Sequence, residues 1–291
     1  MKKRVLLIGA TGQLGSDLNR VLSKHALFEL LPLSHKDFDI CDYKTVNEIL
    51  SKYRPKVVIN TAAYHQVDDA QDNAQKAFLV NSAAQKNLAQ VCNRYKSTVV
   101  YISTDYVFGV DKKRVESYKE SDCTGPVNIY GASKLIGENY TRYFCPKHFI
   151  IRTSGLFGIK RPDKGDNFVD LMLRLGGGKG QVYVVGDQVV SPTYTLNLAQ
   201  NLSKLIDTEK FGTYHMTSEG QCSWWEFAGE IFKLVNLKVK CIKVTSDFFE
   251  TKAIRPNYSV LENFNLNRIN LNLMNPWKEN LKYYLKEKGL I

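Results

Sequence analysis

At 291 residues, 44% hydrophobic and 24% charged, the chain has the composition of a soluble globular protein with a sizeable core, and no apolar run approaches the roughly 18 residues that cross a bilayer. A net charge of +11 would suit nucleic acid, but the lysines are dispersed and no basic run is interleaved with aromatics; a solvated basic surface, or an attraction for small anions such as nucleotides, is left. Six scattered cysteines without CxxC spacing argue against a zinc site and, with only Val5 to Ile8 as an apolar run behind Lys2-Lys3-Arg4, point to the cytoplasm.

Arg4 to Ile8 reads as a buried parallel strand ending in Gly9. Gly9-Ala10-Thr11-Gly12-Gln13-Leu14-Gly15 follows, then a helical pattern through Leu18, Val21 and Leu22. Glycines at this spacing let the backbone turn tightly against a pyrophosphate, while the helix N-terminus offers free N–H groups and positive dipole charge. Strand, glycines and helix in that order favour a dinucleotide site over a simple glycine-rich turn. The next strand, near Phe28 to Leu33, leads into Ser34-His35-Lys36. NAD-preferring sites often place a carboxylate there for the ribose 2′-hydroxyl; without one a 2′-phosphate is tolerated, although Asp37 and Asp39 lie close by. A helix is expected over Val46 to Tyr53 and a third strand over Lys56 to Asn60, ending in Thr61-Ala62-Ala63-Tyr64. A long helix over Ala74 to Tyr95 and a fourth strand over Thr98 to Ile102 come next. That strand runs into Ser103-Thr104-Asp105-Tyr106, a polar lip on an apolar strand, and alternation sends Ser103 and Thr104 to opposite faces.

After a polar loop, Tyr130 to Phe144 reads as a helix, with Tyr130 and Lys134 one turn apart on one face. A free phenol has a pKa of roughly 10, and a fixed ammonium favours its phenolate, so such a pair can hand a proton to a carbonyl oxygen. By spacing alone such a pair is usually a half-exposed surface pair. A fifth strand, His148 to Thr153, gives way to Ser154-Gly155-Leu156-Phe157-Gly158. This alternation predicts an α/β fold, a Rossmann-type doubly wound parallel sheet over residues 1–158. Residues 159–291 read as a smaller, mixed substrate-binding lobe with segments returning to the main domain. There a short helix runs from Asn167 through Leu175, with Gly176-Gly177-Gly178 after it, and strands cover Gln181 to Val185 and Gly212 to Met216. A helix spans Leu196 to Ile206, Ser223-Trp224-Trp225-Glu226 opens another as a capping box, and Trp277 to Lys288 is amphipathic.

In their order and number these motifs resemble the extended short-chain dehydrogenase/reductase family, and within it the dTDP-4-dehydrorhamnose reductases. The segments that carry the likeness are Gly9 to Gly15, Thr61 to Tyr64 with Val67-Asp68, Ser103 to Phe108, and Tyr130 to Lys134 with Gly137-Glu138. Further on come Arg152-Thr153-Ser154, Asn167-Phe168, Asp187-Gln188 with Ser191-Pro192-Thr193, Cys222-Ser223-Trp224 and Arg255-Pro256. The resemblance implies that Tyr130 is the general acid, that Lys134 holds the nicotinamide ribose and lowers the tyrosine pKa, and that Thr104 aligns the substrate carbonyl. It implies cofactor contacts from Gly9, Gly12, Gln13, Leu14 and Gly15, from Asp42 and Tyr43 at the adenine end, and from Ala62, Ala63 and Tyr64 centrally. It places Thr104, Asp105, Tyr106, Tyr130, Gly155 and Asn167 at the substrate. The implied reaction is reduction of the C4 keto group of dTDP-4-dehydro-6-deoxy-L-mannose to dTDP-L-rhamnose by NADPH, with NADH as the alternative. The partner is then a nucleotide sugar, with no nucleic acid or membrane, and a homodimer is the assembly to look for. No metal ligand is assigned; magnesium, described at a subunit contact in some relatives, is left open.

One position departs from the pattern. Many family members carry tryptophan, packed on the deoxysugar, where this chain has Gly155. The lost apolar contact is worth roughly 1–3 kcal/mol, and Phe157, Trp224 and Trp225 are the candidates to replace it. Gly155 therefore keeps a rival open, a reductase of another nucleotide-linked 4-keto-6-deoxysugar. A non-catalytic NADP-binding subunit is opposed by the joint presence of Thr104, Tyr130 and Lys134.

Overall fold

Lys3–Ile8 (β1), Phe28–Leu33 (β2), Val57–Asn60 (β3), Thr98–Thr104 (β4) and His148–Thr153 (β5) pair in parallel in the order β2-β1-β3-β4-β5 in the computed structural model, which describes residues 2–162, 165–178 and 180–291. Val5, Leu6 and Leu7 are wholly buried because helices cover both faces of the sheet, so the strand needs no polar alternation. On one face, helix α1 (Gln13–Leu22) inserts Leu14, Leu18 and Leu22, spaced one turn apart. On the other, α2 (Tyr43–Tyr53) buries Val46 and Leu50 beside Leu88 and Val91 of the Ala84–Arg94 helix. The strand order reverses at β1, so the carboxyl ends of β1 and β3 open into the crevice where doubly wound sheets bind ligands.

The Gly212–His215 strand joins the main sheet, parallel to β5 with Tyr214 opposite Ile151. Likewise Leu198, Leu202 and Leu205 of the Thr195–Leu205 helix pack with Leu14, Leu18 and Leu22 of α1. The rest of the second half forms its own core, in which Phe157, Val169, Phe227, Ile231, Leu281 and Tyr284 are buried together. Its three short sheets pair Leu156–Phe157 with Thr193–Tyr194, Gln181–Val185 with Lys240–Val244, and Val189–Val190 with Cys222–Ser223. No helix among the described residues is long and apolar enough to cross a membrane.

Three elements differ from the sequence reading. α2 starts at Tyr43 because the Asp42 carboxylate accepts from the Lys44 and Thr45 N–H groups, at 3.0 and 3.4 Å, and caps the helix. The pattern over Ala74 to Tyr95 contains a π-helical turn at Leu79–Ala83, preceded by a separate helix at Val67–Asp72. Within that wide turn the Asn81 carbonyl accepts from the Tyr101 hydroxyl at 2.8 Å, a buried partner outside the helix. Finally, the helix begun at Phe168 runs on through Gly176 to Gly178. A Cβ on Gly176 would lie 2.7 Å from a Phe232 ring carbon, so this glycine serves close helix packing rather than a helix stop.

Candidate active site

A cleft of about 650 Å³ lies along the carboxyl ends of β1, β3, β4 and β5, running from the glycine turn to the second-half residues Phe168, Val190 and Trp224. Its floor is the turn itself. Gly9 sits at φ +81°, where L side chains are strained. A Cβ on Gly15 would stand 1.9 Å from the Gly9 carbonyl oxygen. Gly12 caps α1 without a side-chain acceptor, so the first-turn N–H groups face the cleft uncapped by any side chain. The Gln13 Oε1 atom is buried there without a hydrogen-bond partner. The uncapped helix dipole and the close backbone fit the pyrophosphate of a dinucleotide. Gly15→Ala is therefore expected to drive α1 off β1, destabilising the fold by about 1–3 kcal/mol, and to weaken NADPH binding at least tenfold. Thermal unfolding and a cofactor fluorescence titration measure the two effects.

At the far end of the turn, Ser34 and His35 line the cleft just past β2. The Asp37 carboxylate is folded back onto the Ser34 N–H and hydroxyl, at 2.6 and 2.7 Å, and these bonds hold it below the usual carboxylate range. Asp39 is the carboxylate that lines the cleft here, and it accepts from the Cys41 N–H at 2.9 Å.

Tyr130 and Lys134 are carried by the Ile129–Phe144 helix, whose start is set by Asn128 accepting from the Gly131 N–H at 2.8 Å. Gly131 and Gly137 bring this helix against its neighbours: a Cβ would meet the Tyr106 carbonyl oxygen at 2.1 Å and the Asn81 carbonyl oxygen at 2.3 Å respectively. Lys134 is 1% exposed, and its Nζ stands 4.0 Å over the Tyr101 ring with no hydrogen-bond acceptor among the described residues. Burial pulls it down to about 7 against the opposing charge of Glu138. Burial likewise pushes Tyr130 up to about 12, although the neighbouring Thr104 hydroxyl pulls the other way. In this state Lys134 does not depress the phenol; its ammonium is aimed over an aromatic ring and into the cleft. A phenol kept protonated at neutral pH is nonetheless what a general acid requires.

Ser103 and Thr104 do point apart. Ser103 donates to Glu138 at 2.6 Å, away from the reacting groups, whereas Thr104 lies beside Tyr130 and donates to Asp105 at 3.0 Å. Of the residues the resemblance assigned, Gly9, Gly12, Gln13, Leu14, Gly15, Ala62, Ala63, Tyr64, Thr104, Asp105, Tyr106, Tyr130, Lys134, Gly155 and Asn167 all line this cleft. Asp42 and Tyr43 do not: the first caps α2, and the second accepts from Arg94 at 3.0 Å through its hydroxyl. Asn167 reaches the wall with its amide already engaged, donating to Gly158 and Asp170 and accepting from the Asp170 N–H. Asn81 had no motif to announce it. Its amide accepts from the Tyr64 N–H at 2.9 Å and donates to the Ser133 hydroxyl at 2.9 Å, joining the cleft wall to the helix that carries Tyr130 and Lys134.

The question raised by Gly155 has a geometric answer. Gly155 adopts φ +52°, and a Cβ there would lie 3.2 Å from the tip of the Trp224 indole. Trp224 is the first residue after the Ser223 cap, and the capping box with Glu226 fixes where the indole enters the cleft. It packs on Phe168 with ring centroids 4.5 Å apart. Phe157 is buried in the second-half core and the Trp225 N–H donates to Cys241, so neither supplies this wall. Among the described residues no cluster of three or more His, Cys, Asp or Glu side chains is placed to hold a metal ion.

Comparison with known proteins places this geometry. A crystal structure of dTDP-4-dehydrorhamnose reductase from Bacillus anthracis in complex with NADP is 39% identical and superposes with a TM-score of 0.93, over 99% of this chain and 100% of that one. The spore coat polysaccharide biosynthesis protein SpsK of Bacillus subtilis is 38% identical over 98% of both chains. A dTDP-4-keto-6-deoxy-D-glucose reductase from Streptomyces niveus is 35% identical over 90% of this chain and 89% of its own. Residues 2–289, which carry the glycine turn, the Tyr130–Lys134 helix and the Trp224 wall alike, match the RmlD substrate binding domain, and the chain belongs to that family.

Proposed function

We propose that this protein reduces the C4 keto group of dTDP-4-dehydro-6-deoxy-L-mannose with NADPH, giving dTDP-L-rhamnose. The observation that carries the reading is the convergence of Thr104, Tyr130 and Lys134 at the end of a cleft that begins in a dinucleotide-type glycine turn. Bound NADPH supplies the hydride. Tyr130, held protonated by its burial, gives its proton to the oxygen of the former carbonyl, because an alkoxide is a far stronger base than a phenolate. The Lys134 ammonium, lacking a protein acceptor among the described residues, is free to donate to the ribose hydroxyls of a bound cofactor. Ser34 and His35 supply small and polar surface at the adenosine end and favour a 2′-phosphate, while the Asp39 carboxylate lining the same end opposes it.

Trp224 and Phe168 offer an aromatic wall to the C–H face and 6-methyl group of a deoxysugar. Trp224→Ala is expected to raise KM for the nucleotide sugar by roughly tenfold or more, leaving the Kd of NADPH unchanged; Trp224→Phe recovers most of the loss. Steady-state kinetics at saturating NADPH and a separate cofactor titration give both numbers.

The deciding experiment supplies the purified protein with the keto-sugar nucleotide, made in place from dTDP-glucose by upstream enzymes, and follows NADPH loss together with product structure by NMR. dTDP-L-rhamnose formed mole for mole with NADPH consumed supports the reading. A second reading, reduction of a different nucleotide-linked 4-keto-6-deoxysugar, is favoured by Gly155, which brings no side chain into the cleft and stands against Trp224. NADPH consumption with another nucleotide-linked 4-keto-6-deoxysugar, and none with dTDP-4-dehydro-6-deoxy-L-mannose, decides for it.

A further inference from the structure

Asp105 is a buried carboxylate, 3% exposed, at the lip of the cleft, and its partners are hydroxyls alone. Its Oδ2 accepts from Ser154 at 2.9 Å and from Ser259 at 2.5 Å; its Oδ1 accepts from Thr104 at 3.0 Å. No cation pairs with it among the described residues. The phenols of Tyr106 and Tyr130 face it, and the nearest charges are committed elsewhere. Arg255 pairs with Asp68 at 2.6 Å, Arg152 with Glu138 at 2.8 Å, and Lys134 lies over Tyr101.

The Thr104 hydroxyl has one proton. While Asp105 is ionised it is an acceptor only, so it draws that proton, and Thr104 presents nothing but lone pairs to Tyr130 and the reacting oxygen. A protonated Asp105 reverses the bond: its O–H donates to Thr104, and the threonine proton turns toward the site where negative charge develops. We propose that Asp105 is a positioning residue that acts through Thr104, its protonated form setting the hydroxyl direction that favours keto reduction and its ionised form disfavouring it. Burial supports this, since it raises the Asp105 carboxyl to about 6 against the pull of Ser259, Ser154 and Thr104. The proposal rests on the reductase reading and is tested apart from it.

The test compares kcat against pH for the parent, Asp105→Asn and Ser259→Ala, with the carboxylic acid C=O stretch followed by infrared difference spectroscopy without substrate. The asparagine keeps an oxygen for the two serines and turns a permanent donor toward Thr104. The parent is expected to lose kcat as pH rises through the Asp105 titration, and Asp105→Asn to lose that limb. Ser259→Ala removes a donor to the charged form, so limb and infrared midpoint both move up by about one pH unit. An unchanged limb in Asp105→Asn, or a limb and midpoint that stay or fall in Ser259→Ala, overturns the proposal. If Asp105→Asn does not fold, the serine variant decides alone. If the parent binds NADPH but reduces no keto sugar, the reductase reading fails, and an infrared band that does not titrate near neutrality overturns the switch independently.

Discussion

Tyr130→Phe is expected to lower kcat for keto-sugar reduction by roughly 10²–10⁴-fold while the Kd of NADPH stays within about twofold. The substitution removes one oxygen and keeps the ring, so the edge-on contact with Tyr106, at 6.0 Å between centroids, survives. On the proposed mechanism, what disappears is the proton that meets the developing alkoxide. Because that interaction strengthens only as charge develops, the loss falls on kcat and on kcat/KM alike rather than on binding. Single-turnover decay of NADPH absorbance, paired with a cofactor titration, separates the two. A mutant that turns over like the parent removes Tyr130 from the role of acid.

Glu138→Gln is expected to destabilise the protein by about 3–5 kcal/mol, lowering Tm by on the order of 10 °C. Glu138 is fully buried and accepts from Arg152 at 2.9 and 2.8 Å, from Arg142 at 2.7 Å and from Ser103 at 2.6 Å. Burial alone would raise this carboxyl, but the hydrogen bonds and charge of Arg152, aided by Arg142 and Ser103, hold it below the usual range. Its stabilisation is thus complete above the unfolded-state pKa and fades as pH falls through the lower folded value. The variant leaves the buried Arg152 guanidinium facing a neutral amide and a neighbouring His215, which burial and the Arg152 charge pull down to about 3. Calorimetry across that acid range should show a smaller pH slope in the variant. A second consequence reaches Lys134 on the same helix. Glu138 lies one turn beyond Lys134 and supports its charge, so the variant should bring the Lys134 titration lower still.

Much of the fold and part of the site are legible in the order of the residues, and the legible parts share one property: their signals are local. An apolar strand, glycines and a helix in succession announce the turn at Gly9 to Gly15; four residues bring Tyr130 over Lys134; three bring Ser223 to Glu226. Strand alternation alone separates Ser103 from Thr104. Where local pattern competes with packing, packing wins: Gly176 stays helical under Phe232, and Asn81 widens its helix to reach Tyr101.

By itself, then, the sequence determined the five successive parallel strands of the first half, the glycine turn and the one-turn spacing of Tyr130 and Lys134, because each depends on residues only a few positions apart. Tertiary structure alone decided which tryptophan stands in the cleft beside Gly155, that Gly212–His215 completes the main sheet, and that Ser259 reaches across 154 positions to Asp105. Such contacts arise from the packing of whole elements, which sets distances between side chains that no spacing along the chain encodes.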